Sequence, residues 1–241
     1  MSYVAGKPKT GLPLKREWRQ HMRESKIDAC FKNPDSRFRG APFWAWNTKL
    51  EKERLIRQIG YFKEMGMGGF HMHSRTGLDT PYMEEEFLAM VKLCVEEAKR
   101  NGMYACLYDE DRWPSGSAGG KVTKNEAYRN RYLVLTPFEG TQRRGSGQAY
   151  SFSAYANVNG NGRLAAAYRL RWQGGLLQEY ERLDIEKELP QDCWYVYLET
   201  AEANPWYNDQ AYVDTLNPDA VHAFLRETHE KYYELLKEDF G

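Results

Sequence analysis

Between residues 42 and 108 the apolar positions switch twice between short continuous runs and a three-to-four-residue recurrence. Residues 42–47 (PFWAWN) form a compact aromatic run that reads as a strand. Leu55, Ile59 and Phe62 then recur at helical spacing, predicting a helix near 49–65. Thr48 and Glu51 have the form of a capping box at its start, and Gly66 stands where a helix stop belongs. Residues 69–74 (GFHMHS) read as a second strand. Phe87, Val91, Cys94, Val95 and Ala98 give the buried stripe of a helix near 84–100, closed by Asn101-Gly102. Residues 103–108 (MYACLY) read as a third strand, which runs straight into Asp109-Glu110-Asp111. Strand and helix in alternation is the pattern of parallel βαβ units. The three strands are therefore expected to be adjacent and parallel, with both helices on one side.

After Gly120 the pattern changes. Residues 128–138, 148–158, 163–172, 176–183 and 193–200 read as antiparallel strands, separated by turn signals such as Asn159-Gly160-Asn161-Gly162 and Gln173-Gly174-Gly175. Asn217-Pro218 then supplies a helix cap followed by proline at the first helical position. Val221, Phe224, Leu225, Thr228, Tyr232 and Leu235 carry one face of the last helix. The simplest architecture is α/β: the first three βα units of a (β/α)8 barrel, with an antiparallel β module inserted after strand three. The segments are an extension over 1–40, in which Trp18, Met22 and Ile27 hint at a short helix, the first barrel part over 41–127, the module over 128–203 and a barrel helix over 204–241.

Composition narrows the partners. The 34 basic and 34 acidic side chains leave no net charge, so nothing favours nucleic acid or an anionic membrane surface. No stretch approaches the roughly 20 apolar residues of a membrane span, and residues 1–18 lack the apolar core of a secretory signal. A cytoplasmic location is expected. Cys30, Cys94, Cys106 and Cys193 form no CxxC pair; Cys94 and Cys106 read as reduced core residues. The 7 Trp and 17 Tyr exceed what a small core needs, and sugars pack on flat rings.

In parallel α/β barrels the chemistry sits at the C-terminal ends of the strands. That rule selects Trp44, Trp46 and Asn47 after strand one, and His71, His73 and Arg75 after strand two. After strand three it selects Asp109, Glu110 and Asp111, then Arg112, Trp113 and Ser115. Trp44 and Trp46 alternate as one strand face does, and read equally as core or as a sugar platform. His71 and His73 also share a face. A His-x-His pair can hold zinc, but no third ligand is assignable, so hydrogen bonds to substrate hydroxyls are the better reading. Arg75 is placed to pin Asp109 or Glu110 across neighbouring strands. The run Ser115-Gly116-Ser117-Ala118-Gly119-Gly120 lacks the lysine ending of a phosphate loop.

The segments PFWAWN, GMGGFHMHSRTGLDTPYM and YDEDRWPSGSAGG, in this order and spacing, resemble glycoside hydrolase family 106, named for α-L-rhamnosidases. Residues 212–241 resemble the family's next helical stretch. The resemblance covers about residues 40–132 and 204–241; the module and residues 1–40 match loosely. It implies a large multidomain protein whose catalytic (β/α)-barrel hydrolyses a glycosidic bond with inversion, often with calcium in the site. Inversion uses two carboxylates held roughly 6.5–9.5 Å apart, one as acid and one as base. Glu110, with Asp109 and Asp111 as competitors, is the expected catalytic carboxylate. Trp44, Trp46, Asn47, His71, His73, Arg75, Asp111, Trp113 and Ser115 are the expected substrate contacts, and calcium ligands are not assigned. The second carboxylate is expected at a later strand end in the remainder of the full-length chain. Residues 1–241 alone are therefore expected to self-associate through open sheet edges and to lack glycosidase activity. A carbohydrate-binding protein without turnover and a His-x-His metal hydrolase are the alternatives.

Overall fold

The structure, a computed structural model, describes residues 26–137, 139, 162–204 and 209–240. A short helix, α1 (Lys26–Lys32), covers the place where Ile27 hinted at one; Trp18 and Met22 lie outside the described residues.

Three strands, β1 (Phe43–Trp46), β2 (Gly69–Ser74) and β3 (Tyr104–Cys106), form a parallel sheet in the order β1-β2-β3. The connecting helices are α2 (Lys52–Glu64) and α3 (Glu85–Arg100). The capping box does not form. Glu51 is itself the cap residue of α2 and makes no side-chain cap bond. The turn is held from a distance instead, by the Leu50 amide donating to Thr80 Oγ1 at 2.9 Å. A tertiary partner has taken the place of the local one.

Both helices cover one face of the sheet. Trp44, Trp46, Phe70 and Met72 point into a core built with Leu55 and Ile59 of α2 and Phe87, Val91 and Cys94 of α3. The rings meet edge to face, Trp44 against Phe70 at 5.2 Å and Trp46 against Phe87 at 5.6 Å, the arrangement aromatic quadrupoles favour. Residues one position out of phase fall on the opposite face. Register places Phe43 beside His71 and Cys106, and Ala45 beside His73, so these line the face that the helices leave open.

The second sheet is antiparallel. It comprises β4 (Arg131–Thr136), β5 (Arg163–Gln173), β6 (Leu176–Leu183) and β7 (Trp194–Thr200), in the order β4-β7-β5-β6. The strand expected over 148–158 lies outside the described residues. The β5–β6 hairpin closes through Gly174 and Gly175, with φ of 57° and 79°. Two consecutive positive φ values match the right-handed strand twist and strongly favour glycine. On the hairpin's solvent side Arg169 pairs with Glu181 and Arg171 with Glu179 across the strands.

The chain enters and leaves this sheet at one place. The Asn130 amide donates to Tyr212 O, the Ala201 amide to Asn130 O and the Asp214 amide to Tyr128 O. Arg131 also pairs with the buried Asp214 at 3.1 Å.

Asn217 then caps α4 (Pro218–Leu225), its side chain accepting from the Asp219 amide, as the Asn-Pro signal implies. The helix does not run on regularly. Residues Arg226–Glu230 form a π turn before α5 (Lys231–Leu236). Buried Thr228 donates its hydroxyl to Phe224 O at 2.7 Å, a bond back along the helix of the kind that perturbs the regular ladder. The π turn shifts the angular phase of α5 relative to α4. Before it, Ala220 and Ala223 are buried against Ala118, Val122 and Val213. After it, Tyr232 and Leu236 enter the core beneath α3. Val221, expected on the buried face, is exposed, because α4 docks through Ala220 and Ala223 instead.

Candidate active site at the strand carboxyl ends

The loop after β3 is organised around Glu110. Its side chain is 1 % exposed. Oε1 accepts from the amides of Asp111 at 2.8 Å and Gly119 at 2.7 Å, and Oε2 from those of Gly116 and Ala118 at 2.8 Å. Four converging N–H groups make an anion nest. The nest depends on left-handed backbone at Gly116, Ala118, Gly119 and Gly120. Gly116 has a second constraint, since a Cβ there would lie 2.4 Å from Val213 Cγ1. Burial pushes the Glu110 carboxyl up from its ordinary value, while the four amides pull it down. Every oxygen is met by donors, so an added proton would face an N–H. Glu110 is therefore a staple that folds the loop. The expectation that it acts as the catalytic acid is corrected: no face of the carboxylate is left for a substrate.

Its neighbours differ. Asp111 is buried against Arg112, 3.6 Å away, and burial raises its carboxyl above the usual range. Asp109 is partly open. Its Oδ1 accepts from Ser115 Oγ at 2.6 Å, and its Oδ2 lies 3.8 Å from His229 Nε2. The run of three acids thus divides into an accessible carboxylate, a loop staple and a buried ion-pair member.

His73 lies on the open sheet face, stacked on Tyr108 with ring centroids 3.5 Å apart. Its Nδ1 donates to Ser74 O at 2.7 Å. Burial pushes the imidazole below its ordinary value and Arg75 adds to this; the Ser74 bond and Asp109 act the other way. A ring held neutral in the folded state and free to charge in the unfolded one stabilises fully above about pH 6.5 and loses that contribution as pH falls below it. His73→Gln should accordingly flatten the fall in urea midpoint between about pH 7 and 5. An unchanged slope would remove His73 as its source.

Of the remaining expected contacts, His71 is exposed, with Nδ1 donating to Ala41 O at 3.2 Å. Asn47 is exposed at the end of β1. Arg75 does not pin a carboxylate; its guanidinium lies 6.0 Å from the Phe43 ring centre. Trp113 presents its indole to solvent, 62 % exposed. Trp44 and Trp46 do not reach this face. They are 7 % and 2 % exposed beneath the helices, so the sugar-platform reading is corrected to core for both. Trp46, His73, Arg75 and Glu110, all selected at the strand ends, therefore do not meet in one cleft. Trp46 is on the other side of the sheet, and Glu110 is enclosed in its own loop.

His229 was not among the residues selected from the sequence. Strand-end logic does not reach it, because it comes from the helix after the antiparallel sheet. Its one signal is the Thr228-His229-Glu230 triplet on a helix whose other face is apolar.

Among the described residues no group of three His, Cys, Asp or Glu side chains could hold a metal ion. His71 and His73 find no third ligand of these types there, and neither zinc nor the calcium implied by the family resemblance is assigned a step.

No known family profile matches this chain, and no curated protein matches it. Among solved structures, it is similar to a rhamnosidase from Novosphingobium sp. PP1Y, with a TM-score of 0.38 and 23 % identity, over 45 % of this chain and 11 % of that one. The chain thus spans a small part of that rhamnosidase's length.

Proposed function

We propose that this chain is the first part of the catalytic (β/α)-barrel of a carbohydrate-active hydrolase of the α-L-rhamnosidase type. The observation that carries this reading is the polar cluster at the strand carboxyl ends. Accessible Asp109 stands there with Ser115, His229 and exposed Trp113, on a loop held in place by Glu110. Such a cluster offers carboxylate, imidazole and hydroxyl to sugar hydroxyls, and a flat indole to a sugar's C–H face. The family resemblance of residues 40–132 supports the same reading.

In this reading Asp109 is the functional carboxylate, as acid, base or hydroxyl acceptor. Ser115 holds one of its oxygens and orients the other outward. Hydrolysis with inversion needs a second carboxylate roughly 6.5–9.5 Å away. Glu110 and Asp111 are both held by other partners, so the second carboxylate is assigned to a later strand end of a longer polypeptide.

The test is an assay of the natural gene product on 4-nitrophenyl α-L-rhamnoside. Turnover is expected, and Asp109→Asn should lower kcat/KM about 10²- to 10⁴-fold without moving the unfolding midpoint. Full activity of Asp109→Asn would remove Asp109 from the reaction, and no turnover of any aryl glycoside would remove the hydrolase. One observation favours a second reading, a binding protein without turnover: among the described residues Asp109 is the one member of the acidic run open to a ligand. Sugar binding by the natural gene product with no hydrolysis would favour it.

A further inference from the structure

We infer that His229 is a further substrate-binding residue, whose Nε2 forms with Asp109 Oδ2 a paired acceptor for two neighbouring hydroxyls of a sugar. This inference rests on the hydrolase reading and adds to it the recognition of a vicinal diol.

The chemistry starts at Thr228. Its hydroxyl carries one proton, and a backbone carbonyl can only accept. The 2.7 Å bond to Phe224 O therefore uses that proton. The second contact of the same oxygen, to His229 Nδ1 at 2.9 Å, must then be donated by the imidazole. The ring hydrogen is placed on Nδ1, and in the neutral ring Nε2 presents a lone pair. Thr228 is fully buried and the Phe224 ring lies edge-on to the imidazole at 5.8 Å, so both the tautomer and the ring direction are set from inside the fold. The π turn matters because it decides which way residue 229 points. Such turns occur often at functional sites.

Nε2 so prepared faces Asp109 Oδ2 at 3.8 Å. That is too long for a direct hydrogen bond. Both atoms are acceptors in this state, and no hydrogen between them would join them. The half-exposed imidazole and partly open carboxylate leave the gap accessible. Asp109 Oδ1 is already used by Ser115, so Oδ2 is the free oxygen. What satisfies two adjacent acceptors is two adjacent donors, and neighbouring ring hydroxyls of a sugar supply them.

The test reads the tautomer directly. In long-range 1H–15N correlation spectra of the 15N-labelled natural gene product at pH 8, His229 should show Nδ1 protonated and Nε2 bare. His71 and His73 also donate from Nδ1, so the signals are assigned residue by residue through the backbone. Thr228→Val should return His229 to the Nε2–H form. Adding methyl α-L-rhamnoside should shift His229 Nε2, and Asp109→Asn should abolish that shift. His229→Gln should weaken binding about 5-fold, the loss of one neutral hydrogen bond. An Nε2–H ring, or a ring protonated on both nitrogens at pH 8, would overturn the inference, the latter making the pair an ion pair. A sugar that shifts the Trp113 indole but not His229 would also overturn it, leaving the hydrolase reading in place. A sugar that shifts neither would remove both.

Discussion

Glu110→Gln should lower folding stability by about 3 kcal/mol, read as a fall in urea midpoint at unchanged slope. The two side chains have nearly the same shape, so the expected loss comes from hydrogen-bond polarity alone. Glutamine keeps one oxygen, which can still accept two of the four amides. Its NH2 group turns donors toward the other two N–H groups, which are then buried and unpaired. Each such donor costs about 1–3 kcal/mol. The released loop is the one that positions Asp109, Trp113 and Ser115, so sugar binding should fall with it. A loss of turnover in this variant would consequently be no sign of acid catalysis by Glu110. A midpoint within about 0.5 kcal/mol of the parent would show that the four-amide nest does not hold the loop.

The tryptophans should separate just as sharply. Trp46→Ala is expected to cost about 3–5 kcal/mol, because it removes a fully buried indole from between the sheet and α3 and leaves a cavity. Trp113→Ala should change stability by no more than about 0.5 kcal/mol, since its ring is solvent-exposed. Affinity for methyl α-L-rhamnoside should move the other way. Trp113→Ala should abolish measurable binding, and any Trp46→Ala protein that remains folded should still bind. Urea unfolding followed by circular dichroism, with calorimetric titration of the sugar, would measure both. Intact sugar binding by Trp113→Ala would remove the indole from the site, and a Trp46→Ala protein of parental stability would contradict its place in the core.

The fold's local elements were legible in the chain because each rests on short-range chemistry. Helical spacing at Leu55, Ile59 and Phe62 and the stripe from Phe87 to Ala98 mark α2 and α3, and both stripes pack into the core as read. Asn217-Pro218 caps α4 through a bond to a residue two positions on, and Gly174-Gly175 closes a hairpin through its own backbone freedom. The strand-end rule also singled out the acidic run, where the accessible Asp109 is found.

What the chain could not decide was which side of each element meets what. Alternation along residues 43–46 gives two faces, Phe43 with Ala45 and Trp44 with Trp46, and both begin with an aromatic ring. Only the docking of α2 and α3 makes the tryptophan face the core. The three acids 109–111 are likewise indistinguishable by position. Their roles diverge because left-handed backbone at Gly116, Ala118 and Gly119 turns three amides onto Glu110 to join that of Asp111, while Ser115 and His229 come to Asp109. His229 joins from 120 positions away, through a π turn that shifts the helix out of the regular period on which sequence reading depends. Periodicity reports the geometry of one element, whereas the site is made by contacts between elements distant along the chain, and those are set only when the sheet, the loop and the last helix pack together.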